Sequence, residues 1–307
     1  MSRYLLRRLA QMLPIALLVA TLVFSLLHLI PGDPVEVMLG EGAQAADVAA
    51  LRAELGLDRP LGEQYLAFLG GLGRFDLGTS LHSGEPVTAV LLAHLPATLE
   101  LACAAMLVAL ALSLPLGTLA AFHRGRAADH VSRAVAVLGV ALPNFWLGPM
   151  LILLFSVQLG WLPVSGREGV ASLVLPAVTL GAGLSALLTR LVRASVAEEL
   201  GRPYLATALA KGVSRARAVV VHALRNALVP ALTVAALQFG ALLTGAIVTE
   251  TVFSWPGLGR LLIEGIRLRD YPLVQGGVLL IAWTYLVVNL ATDLAYAWLD
   301  PRMRESN

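Results

Sequence analysis

Few side chains in this sequence are arranged for catalysis or metal binding. The only lysine, Lys211, comes directly before Gly212, the reverse of the Gly-Lys order that ends a nucleotide-binding P-loop, so the chain is not expected to hydrolyse ATP unaided. His-Glu-x-x-His and Gly-x-Ser-x-Gly are absent, which leaves a membrane protease or esterase without support. The single cysteine, Cys103, excludes a cysteine-based zinc site within one chain. We therefore predict no catalytic residue and no metal ligand.

Polar side chains at or inside long apolar stretches are better candidates for function. Glu250 stands at the end of such a stretch, whereas Asn144 and Asn289 lie inside two others. Because polar and ionisable groups are costly in lipid, they usually face a protein interior or a water-filled cavity. These three residues are therefore candidates for a transport pathway or a gate. The alternative is an interfacial carboxylate or a hydrogen bond between helices, which is the more common arrangement.

The elements that must position these residues are membrane helices. The chain is 58% hydrophobic and only 14% charged, against about 25% charged residues in soluble domains. A bilayer core needs roughly 20 apolar residues in a helix, and six stretches of that length contain no Asp, Glu, Lys or Arg. They are residues 9–30, 101–122, 134–159, 169–189, 226–249 and 271–292. The sequence therefore predicts an all-α membrane protein with six transmembrane helices.

The distribution of basic residues predicts the orientation of these helices. Segments 1–8, 123–133, 190–225 and 293–307 hold 15 of the 22 Lys and Arg residues. Because Lys and Arg are concentrated on the cytoplasmic side of membrane proteins, both termini are predicted to be cytoplasmic. The first stretch is too long for a signal peptide, and Pro31 and Gly32 follow it instead of a cleavage site, so we interpret it as a retained helix.

Two segments between the predicted spans are large enough to fold by themselves. Segment 31–100 is predicted to lie outside, with short amphipathic helices at 47–55 and 63–72 that indicate a small external subdomain. Segment 190–225 is predicted to lie inside, with helices at 204–210 and 214–228 joined at Gly212 and with Ser214 as an N-cap. Its basic charge suits a soluble partner. The alternative is a solvated loop that obeys the positive-inside rule or touches anionic lipid.

The basic segment also carries a recognisable motif. It reads Tyr-Leu-Ala-Thr-Ala-Leu-Ala-Lys-Gly-Val-Ser-Arg from Tyr204 and His-Ala-Leu-Arg-Asn-Ala-Leu-Val-Pro from His222. This resembles the cytoplasmic EAA loop of ABC importer permeases and, more narrowly, that of the dipeptide/oligopeptide/nickel branch. Ala-Thr-Ala replaces the Glu-Ala-Ala of the general family, as it does in that branch. Further motifs agree in order along the chain, including Pro31-Gly-Asp-Pro34, Leu95-Pro-Ala-Thr-Leu-Glu-Leu101, Pro143-Asn-Phe-Trp146, Glu250-Thr-Val-Phe-Ser-Trp-Pro-Gly-Leu-Gly-Arg260 and Leu299-Asp-Pro-Arg302.

The resemblance implies a type I ABC importer permease fold and assigns roles to particular residues. The chain resembles the first of the two permeases in peptide/nickel systems, in which loop 190–229 couples the permease to its ATPases. The coupling residues implied by the motif are Tyr204, Thr207, Ala208, Lys211, Gly212, Arg215, Arg225, Asn226 and Pro230. Trp255, within the Glu250 motif, joins Asn144, Glu250 and Asn289 as a candidate for the pathway or gate.

The resemblance also implies domains, partners and location. The domains are a cytoplasmic stub with the first helix (1–30), an external subdomain (31–94), a transmembrane core (95–299) and a cytoplasmic tail (300–307). The partners are a homologous second permease, two cytoplasmic ATPases that bind ATP and Mg²⁺, an external solute-binding protein and the bacterial inner membrane. No cofactor is expected in this chain, and its net charge of +2 favours no nucleic acid.

The cargo implied by the resemblance is a peptide, with glutathione or a nickel chelate as alternatives. A stand-alone secondary transporter is the alternative from a different class. Such a transporter should show charges within its spans or broken half-helices in repeated halves. The charge-free spans argue against it.

Overall fold

The computed structural model describes residues 2–29, 35, 39, 44–54 and 56–299. Within these residues the chain is mostly helical and has no β-strand, with one isolated antiparallel bridge between Thr79 and Pro86. The prediction of an all-α protein is therefore confirmed for the described part. The motifs Pro31-Gly-Asp-Pro34 and Asp300-Pro-Arg302, and the predicted tail 300–307, lie outside the described residues.

The α-helices follow one another with short connections. They are α1 (Ser2–Leu29), α2 (Ala45–Glu54), α3 (Leu61–Leu72), α4 (Val87–Phe122), α5 (Ala127–Ala141), α6 (Asn144–Leu151), α7 (Val170–Glu199), α8 (Pro203–Ala210), α9 (Leu224–Val252), α10 (Leu258–Arg267) and α11 (Tyr271–Leu299). The π-helical segment Ile152–Gln158 continues α6. A second π-helical segment, Ala218–Ala223, leads into α9 and is itself preceded by a short turn of α-helix, Arg215–Arg217.

Long apolar helices make the chain a multi-pass membrane protein. Four stretches are long and apolar enough to cross a bilayer, namely Val87–Phe122, Val170–Glu199, Arg215–Leu243 and Tyr271–Thr292. Two shorter apolar helical stretches are Ala10–Ser25 and Asn144–Gln158. Each of these overlaps one of the six apolar stretches in the sequence, and four of them are long enough to cross a bilayer.

The third predicted span is wrong as a single helix. Residues 134–159 were expected to form one crossing, but α5 ends at Ala141 and α6 begins at Asn144. Pro143 between them is extended, with φ −65° and ψ 141°. A proline donates no backbone hydrogen bond, and its ring disfavours the helical conformation in the residue before it, Leu142. The helix is therefore broken inside an apolar stretch.

Several helices extend beyond the predicted ends of the spans. Helix α4 begins at Val87 rather than near Leu101, and α7 continues to Glu199 rather than ending near Thr189. The predicted ends were set by the first charged residue, whereas a helix continues into the membrane surface as long as its backbone bonds are made. The two amphipathic helices expected in segment 31–100 are confirmed as α2 and α3, with Leu55 outside the described residues.

The chain divides into two compact units. The first contains residues up to Pro96 together with Gly257–Leu290. Its apolar core combines Val87 and Leu91 of α4 with Leu258 of α10 and Leu273 of α11. At the start of α11, the buried carboxylate of Asp270 accepts hydrogen bonds from the Ser80 hydroxyl at 2.5 Å and from the Leu273 amide at 3.2 Å. This carboxylate therefore caps the N-terminus of α11.

The second unit contains Ala97–Pro256 together with Ala291–Leu299 and is built around α7. Helix α7 packs against α5, α6 and α9. It also passes so close to α4 at Gly181 that a Cβ atom there would lie 2.6 Å from the carbonyl oxygen of Ala105. Small residues allow such close approach between membrane helices, where tight packing replaces the hydrophobic effect as the cause of association. Helix α7 is thus the central helix of this unit.

Candidate functional site

The basic segment folds into a helix, a turn and a second helix, as the sequence predicted. Pro203 occupies the first position of α8, where its missing N–H is not needed. Gly212 has φ +83°, a left-handed conformation that favours glycine and reverses the chain. The Ser214 hydroxyl accepts a hydrogen bond from the Arg217 amide at 3.4 Å, so Ser214 is the predicted N-cap.

Helix α8 is held against the following helix by a small apolar cluster. Leu205 is almost fully buried against Ala218 and Ala223 of the π-helical segment. Short side chains at these two positions leave room for the leucine, as the packing of one helix into the groove of another requires. The other face of α8, which includes Tyr204 and Thr207, remains exposed.

Three polar side chains tie the two ends of this segment together. The Tyr204 hydroxyl donates a hydrogen bond to Glu199 Oε2 at 2.5 Å and accepts one from Asn226 Nδ2 at 3.1 Å. Burial, which disfavours the phenolate, and then the hydrogen bond to Glu199 raise the pKa of Tyr204, so the hydroxyl stays protonated as a donor. We call Glu199, Tyr204 and Asn226 the polar latch. It joins the end of α7, the start of α8 and the start of α9.

The remaining predicted coupling residues lie on the same segment. Lys211 and Arg225 are exposed, and the Arg215 guanidinium lies over the Phe122 ring, 5.3 Å from its centroid. The Thr207 hydroxyl donates a hydrogen bond to the Pro203 carbonyl oxygen at 3.2 Å. Ala208 is half-buried in α8, whereas Pro230 lies inside α9. These residues therefore lie on α8, at the turn at Gly212 or on the helical run that follows it, and Asn226 contacts Tyr204.

Replacing Tyr204 with phenylalanine should loosen α8 without changing its apolar packing. The variant loses one charge-assisted and one neutral hydrogen bond, together worth about 2 kcal/mol of local stability. We expect faster amide hydrogen exchange in residues 203–213 and less uptake per ATP hydrolysed. Tyr285→Phe is the control, because Tyr285 has the same 38% exposure and lies far along the chain in α11. Equal exchange in the two variants would contradict the role of the latch.

Glu250 and Trp255 are buried between helices. Both are 0% exposed. The Thr98 hydroxyl donates to Glu250 Oε1 at 2.7 Å, and Trp255 Nε1 donates to the Ala97 carbonyl at 2.8 Å. These bonds join α4 to the end of α9 and match the alternative interpretation of Glu250, a hydrogen bond between helices. A pathway or gate role for Glu250 and Trp255 stays a prediction.

An exposed ion pair lies beside Trp255. Arg167 lies 2.6 Å from Glu100 in a salt bridge, and its guanidinium is 5.9 Å from the centroid of the Trp255 ring. Glu100 and Arg167 are each 40% exposed, so the ion pair itself adds little stability. Its planar cation nevertheless packs over the indole, which fixes the connection between α6 and α7 above the end of α9.

Asn144 lines a pocket within the second unit. The pocket has a volume of about 250 Å³ and lies between α6, α7 and α9. Its lining residues are Asn144, Leu180, Gly183, Leu184, Leu187, Gln238, Ala241 and Leu242. Asn289, the other predicted pathway amide, belongs to the first unit and is half-buried. The structure thus gives Asn144, but not the whole predicted set, a place in a cavity.

Sequence reasoning missed several polar residues. Glu199 and Gln238 were not predicted to be functional. Glu199 precedes the coupling motif, which begins at Tyr204, and Gln238 lies outside every motif that was recognised. Asp129 and Arg193 form a bidentate ion pair with N–O distances of 2.7 and 3.0 Å. The available signal was that each charge lies next to an apolar stretch, where a buried partner is often needed.

Among the described residues, no cluster of three or more His, Cys, Asp or Glu side chains could hold a metal ion.

These features define a class of protein. Long apolar helices, a broken helix beside an amide-lined pocket and an exposed basic loop are those of a multi-pass membrane transport subunit. The family identity follows from comparison with known proteins. The chain belongs to the family of binding-protein-dependent transport system inner membrane components, whose model matches residues 113–305, and the N-terminal model of such membrane components matches residues 1–102. It is therefore a permease subunit of the ABC importer class.

Curated relatives match over nearly their full length. The chain is 44% identical to the dipeptide transport system permease protein DppB of Escherichia coli K12 and 45% identical to the di/tripeptide transport system permease protein DppB of Pseudomonas aeruginosa UCBPP-PA14. It is 42% identical to the glutathione transport system permease protein GsiC of Salmonella choleraesuis SC-B67. In each case the match covers 99% of both chains.

A solved structure shares the fold. It is described as the crystal structure of an amino acid ABC transporter with histidines, and it superposes with a TM-score of 0.51. The match covers 70% of this chain and 94% of that chain at 17% sequence identity. At this identity the likeness concerns the fold alone.

Proposed function

We propose that this chain forms half of the translocation pathway of an ATP-driven importer of di- or oligopeptides. The observation that carries the proposal is its 44–45% identity, over 99% of the chain, to permeases named for dipeptide and di/tripeptide transport. The exposed basic turn at Gly212 supports it, because a permease without an ATPase site needs a surface through which partner ATPases act. ATP and Mg²⁺ belong to those partners in this proposal.

Glutathione import is the second candidate, and one observation favours it. The alignment with the glutathione permease spans 304 positions, whereas the alignment with the Escherichia coli dipeptide permease spans 336 positions for the same 99% of this chain. The alignment with the dipeptide permease is therefore 32 positions longer, and at most of these positions this chain has a gap. Glutathione is itself a tripeptide, so the two candidates share a peptide backbone and differ in the cargo that the binding protein delivers.

Uptake by the reconstituted importer distinguishes the two candidates. Vesicles would contain this chain with its second permease and its ATPases, together with the solute-binding protein of the same importer. ATP-dependent uptake of a labelled dipeptide supports the first proposal, and uptake of labelled glutathione alone supports the second. Uptake of neither peptide, with ATPase activity intact, would overturn both.

The proposed topology has six crossings with both termini in the cytoplasm. Helix α1, α4, the broken pair α5 and α6, α7, α9 and α11 would each supply one crossing. The basic loop 190–229 then lies inside, as the concentration of Lys and Arg requires. In this topology residues 1–30 form the stub and first helix, 31–94 the external subdomain, 95–299 the type I core and 300–307 the tail.

The proposed partners distinguish this assembly from a stand-alone secondary transporter. A homologous second permease completes the pathway, and two cytoplasmic ATPases bind one basic loop each. Closure of the ATPases would then move the membrane helices as rigid bodies between inward-open and outward-open states. Purification in mild detergent provides the distinction, because a secondary transporter would bring down no ATPase.

The external subdomain is the proposed docking surface for the solute-binding protein. Deleting residues 47–72 would also remove Phe68 and Leu69, which pack against Ala20 and Val23 of α1. Leu66→Arg is the sharper variant, because Leu66 is 69% exposed and lies outside that cluster. We expect it to weaken binding-protein affinity about tenfold, as expected for a charge placed at an apolar contact. Unchanged affinity and uptake in both variants would exclude docking at this subdomain.

A further inference from the structure

The broken helix and the amide-lined pocket occur at the same place. Helix α5 ends at Ala141, Pro143 is extended, and Asn144, the first residue of α6, lines the pocket. Gln238, from the middle of α9, lines the same pocket. The pocket therefore lies where two separate irregularities of a membrane protein meet, an interruption of helical backbone and a pair of side-chain amides.

Neither irregularity is tolerated in contact with lipid. Backbone that leaves the helical conformation has N–H and C=O groups without intrahelical partners, and at membrane depth such groups occur only inside protein or beside a water-filled cavity. The carboxamide groups of Asn144 and Gln238 each have donor and acceptor atoms to satisfy. The other six lining residues are leucine, alanine and glycine, so no side chain of the lining except these two can form a hydrogen bond. Water or a solute that enters the pocket can therefore pair with these two amides.

The chemistry of the lining selects one kind of solute. A side-chain amide donates from its NH₂ group and accepts at its carbonyl oxygen, which is the pattern that a peptide bond complements. No Asp, Glu, Lys or Arg lines the pocket, so a charged terminus or side chain would lose its hydration without compensation. The volume of about 250 Å³ is below the usual range for a whole drug-sized ligand, roughly 300–1,000 Å³. The pocket is therefore smaller than a site for a drug-sized ligand, and its uncharged lining suits the backbone amide of a peptide better than its charged groups.

We infer that Asn144 and Gln238 form a binding site in this permease for the backbone amide of the transported peptide. The inference rests on the proposed function for its substrate class. The inference adds Gln238 to the candidate pathway residues. It also gives a physical reason for the break at Pro143, because the side-chain amide of Asn144, the next residue, lines the pocket. Because every peptide has a backbone amide, a site of this kind admits cargo of varied side chains.

Thiol labelling tests the water-accessible pocket independently of transport. Cys103→Ser removes the only cysteine of the chain, and Asn144→Cys or Gln238→Cys is then introduced in the assembled importer. Their sequence neighbours Phe145 and Leu237 are 64% and 50% exposed on the apolar surface and serve as matched cysteine controls. Because only a hydrated thiol ionises and reacts, we expect the pocket cysteines to react with a water-soluble maleimide about tenfold faster. Equal rates at pocket and control positions would overturn the site.

Transport of a backbone-modified substrate tests the ligand. The probe is a dipeptide compared with its ester analogue, in which oxygen replaces the amide N–H, after the affinity of the binding protein for each has been measured. Wild type should transport the amide about threefold to tenfold faster than the ester, the effect of one lost hydrogen bond. In Asn144→Leu with Gln238→Met this preference should disappear, whereas Leu237→Met should keep it.

The outcomes separate this inference from the proposed function. If wild type transports neither peptide nor ester, the proposed function fails. If wild type transports the peptide and the double variant keeps the same preference for the amide, only the backbone site fails. If the double variant transports nothing, Asn144→Gln is measured instead. This variant retains a side-chain amide and should transport the peptide faster than the ester; if it does not, the site is excluded.

Discussion

Replacing Gly212 with glutamate is expected to reduce ATP-driven uptake about tenfold or more while the subunit remains in the membrane. Gly212 has φ +83°, and a residue with a Cβ atom in that conformation costs about 1–2 kcal/mol. The new carboxylate also lies next to Lys211 and near Arg215 and Arg217, which are all exposed. A loss of about 1.4 kcal/mol in ATPase docking already lowers the affinity tenfold. Uptake and ATP hydrolysis measured in the same vesicles check the result.

A second turn of the chain provides the control. Gly125 has φ +77°, and like Gly212 it has no atom within 4 Å of the position of an added Cβ. Gly125→Glu therefore introduces the same strain and the same charge outside the motif. Lys211→Glu introduces the charge reversal without the strain. Coupled uptake that survives both Gly212→Glu and Lys211→Glu would exclude docking at this turn, and equal loss in Gly125→Glu would attribute the effect to strain or net charge.

The basic segment could be predicted from the sequence in some detail because its structure is specified locally. Pro203 starts a helix, Gly212 allows a left-handed turn and Ser214 caps the next helix, and each of these roles depends on a residue's own backbone preferences. The polar latch was not predictable in the same way. Glu199 is five residues from Tyr204, but Asn226 is 22 residues away and reaches it only after α8 has folded back.

The break at Pro143 shows why the third apolar stretch was not predicted to contain two helices. Pro176 and Pro230 lie inside α7 and α9 without ending them, so a proline in an apolar stretch does not by itself predict an interruption. Charge-free length, the criterion that located the spans, contains no information about backbone continuity. Gln238, which lines the same pocket as Asn144, could not be predicted either. It belongs to another helix, and the sequence does not show how the two helices pack. Local rules fail here at a candidate functional site, as is common in natural proteins.

Replacing Arg193 with methionine is expected to produce the largest loss of stability. Arg193 on α7 makes a bidentate ion pair with Asp129 at the start of α5, and the Asp129 side chain is only 1% exposed. Removing one partner of a buried ion pair costs about 3–5 kcal/mol, because a charge remains in a poorly solvating environment. Since Arg193 is itself 26% exposed, we expect the lower end, about 3 kcal/mol. Denaturant titration of the purified complex measures it.

The matched control is an ion pair on the same segment that is exposed on both sides. Arg202 pairs with Glu198 at 2.8 Å, and their side chains are 53% and 70% exposed. Arg202→Met should therefore cost less than about 1 kcal/mol. Adding Asp129→Asn to Arg193→Met should recover part of the loss, since a neutral amide needs no cation. Equal destabilisation by Arg193→Met and Arg202→Met would contradict the assignment. Helix α7 carries both Arg193 and Glu199, so the ion pair that fixes α7 against α5 also fixes the end of α7 from which the latch holds α8.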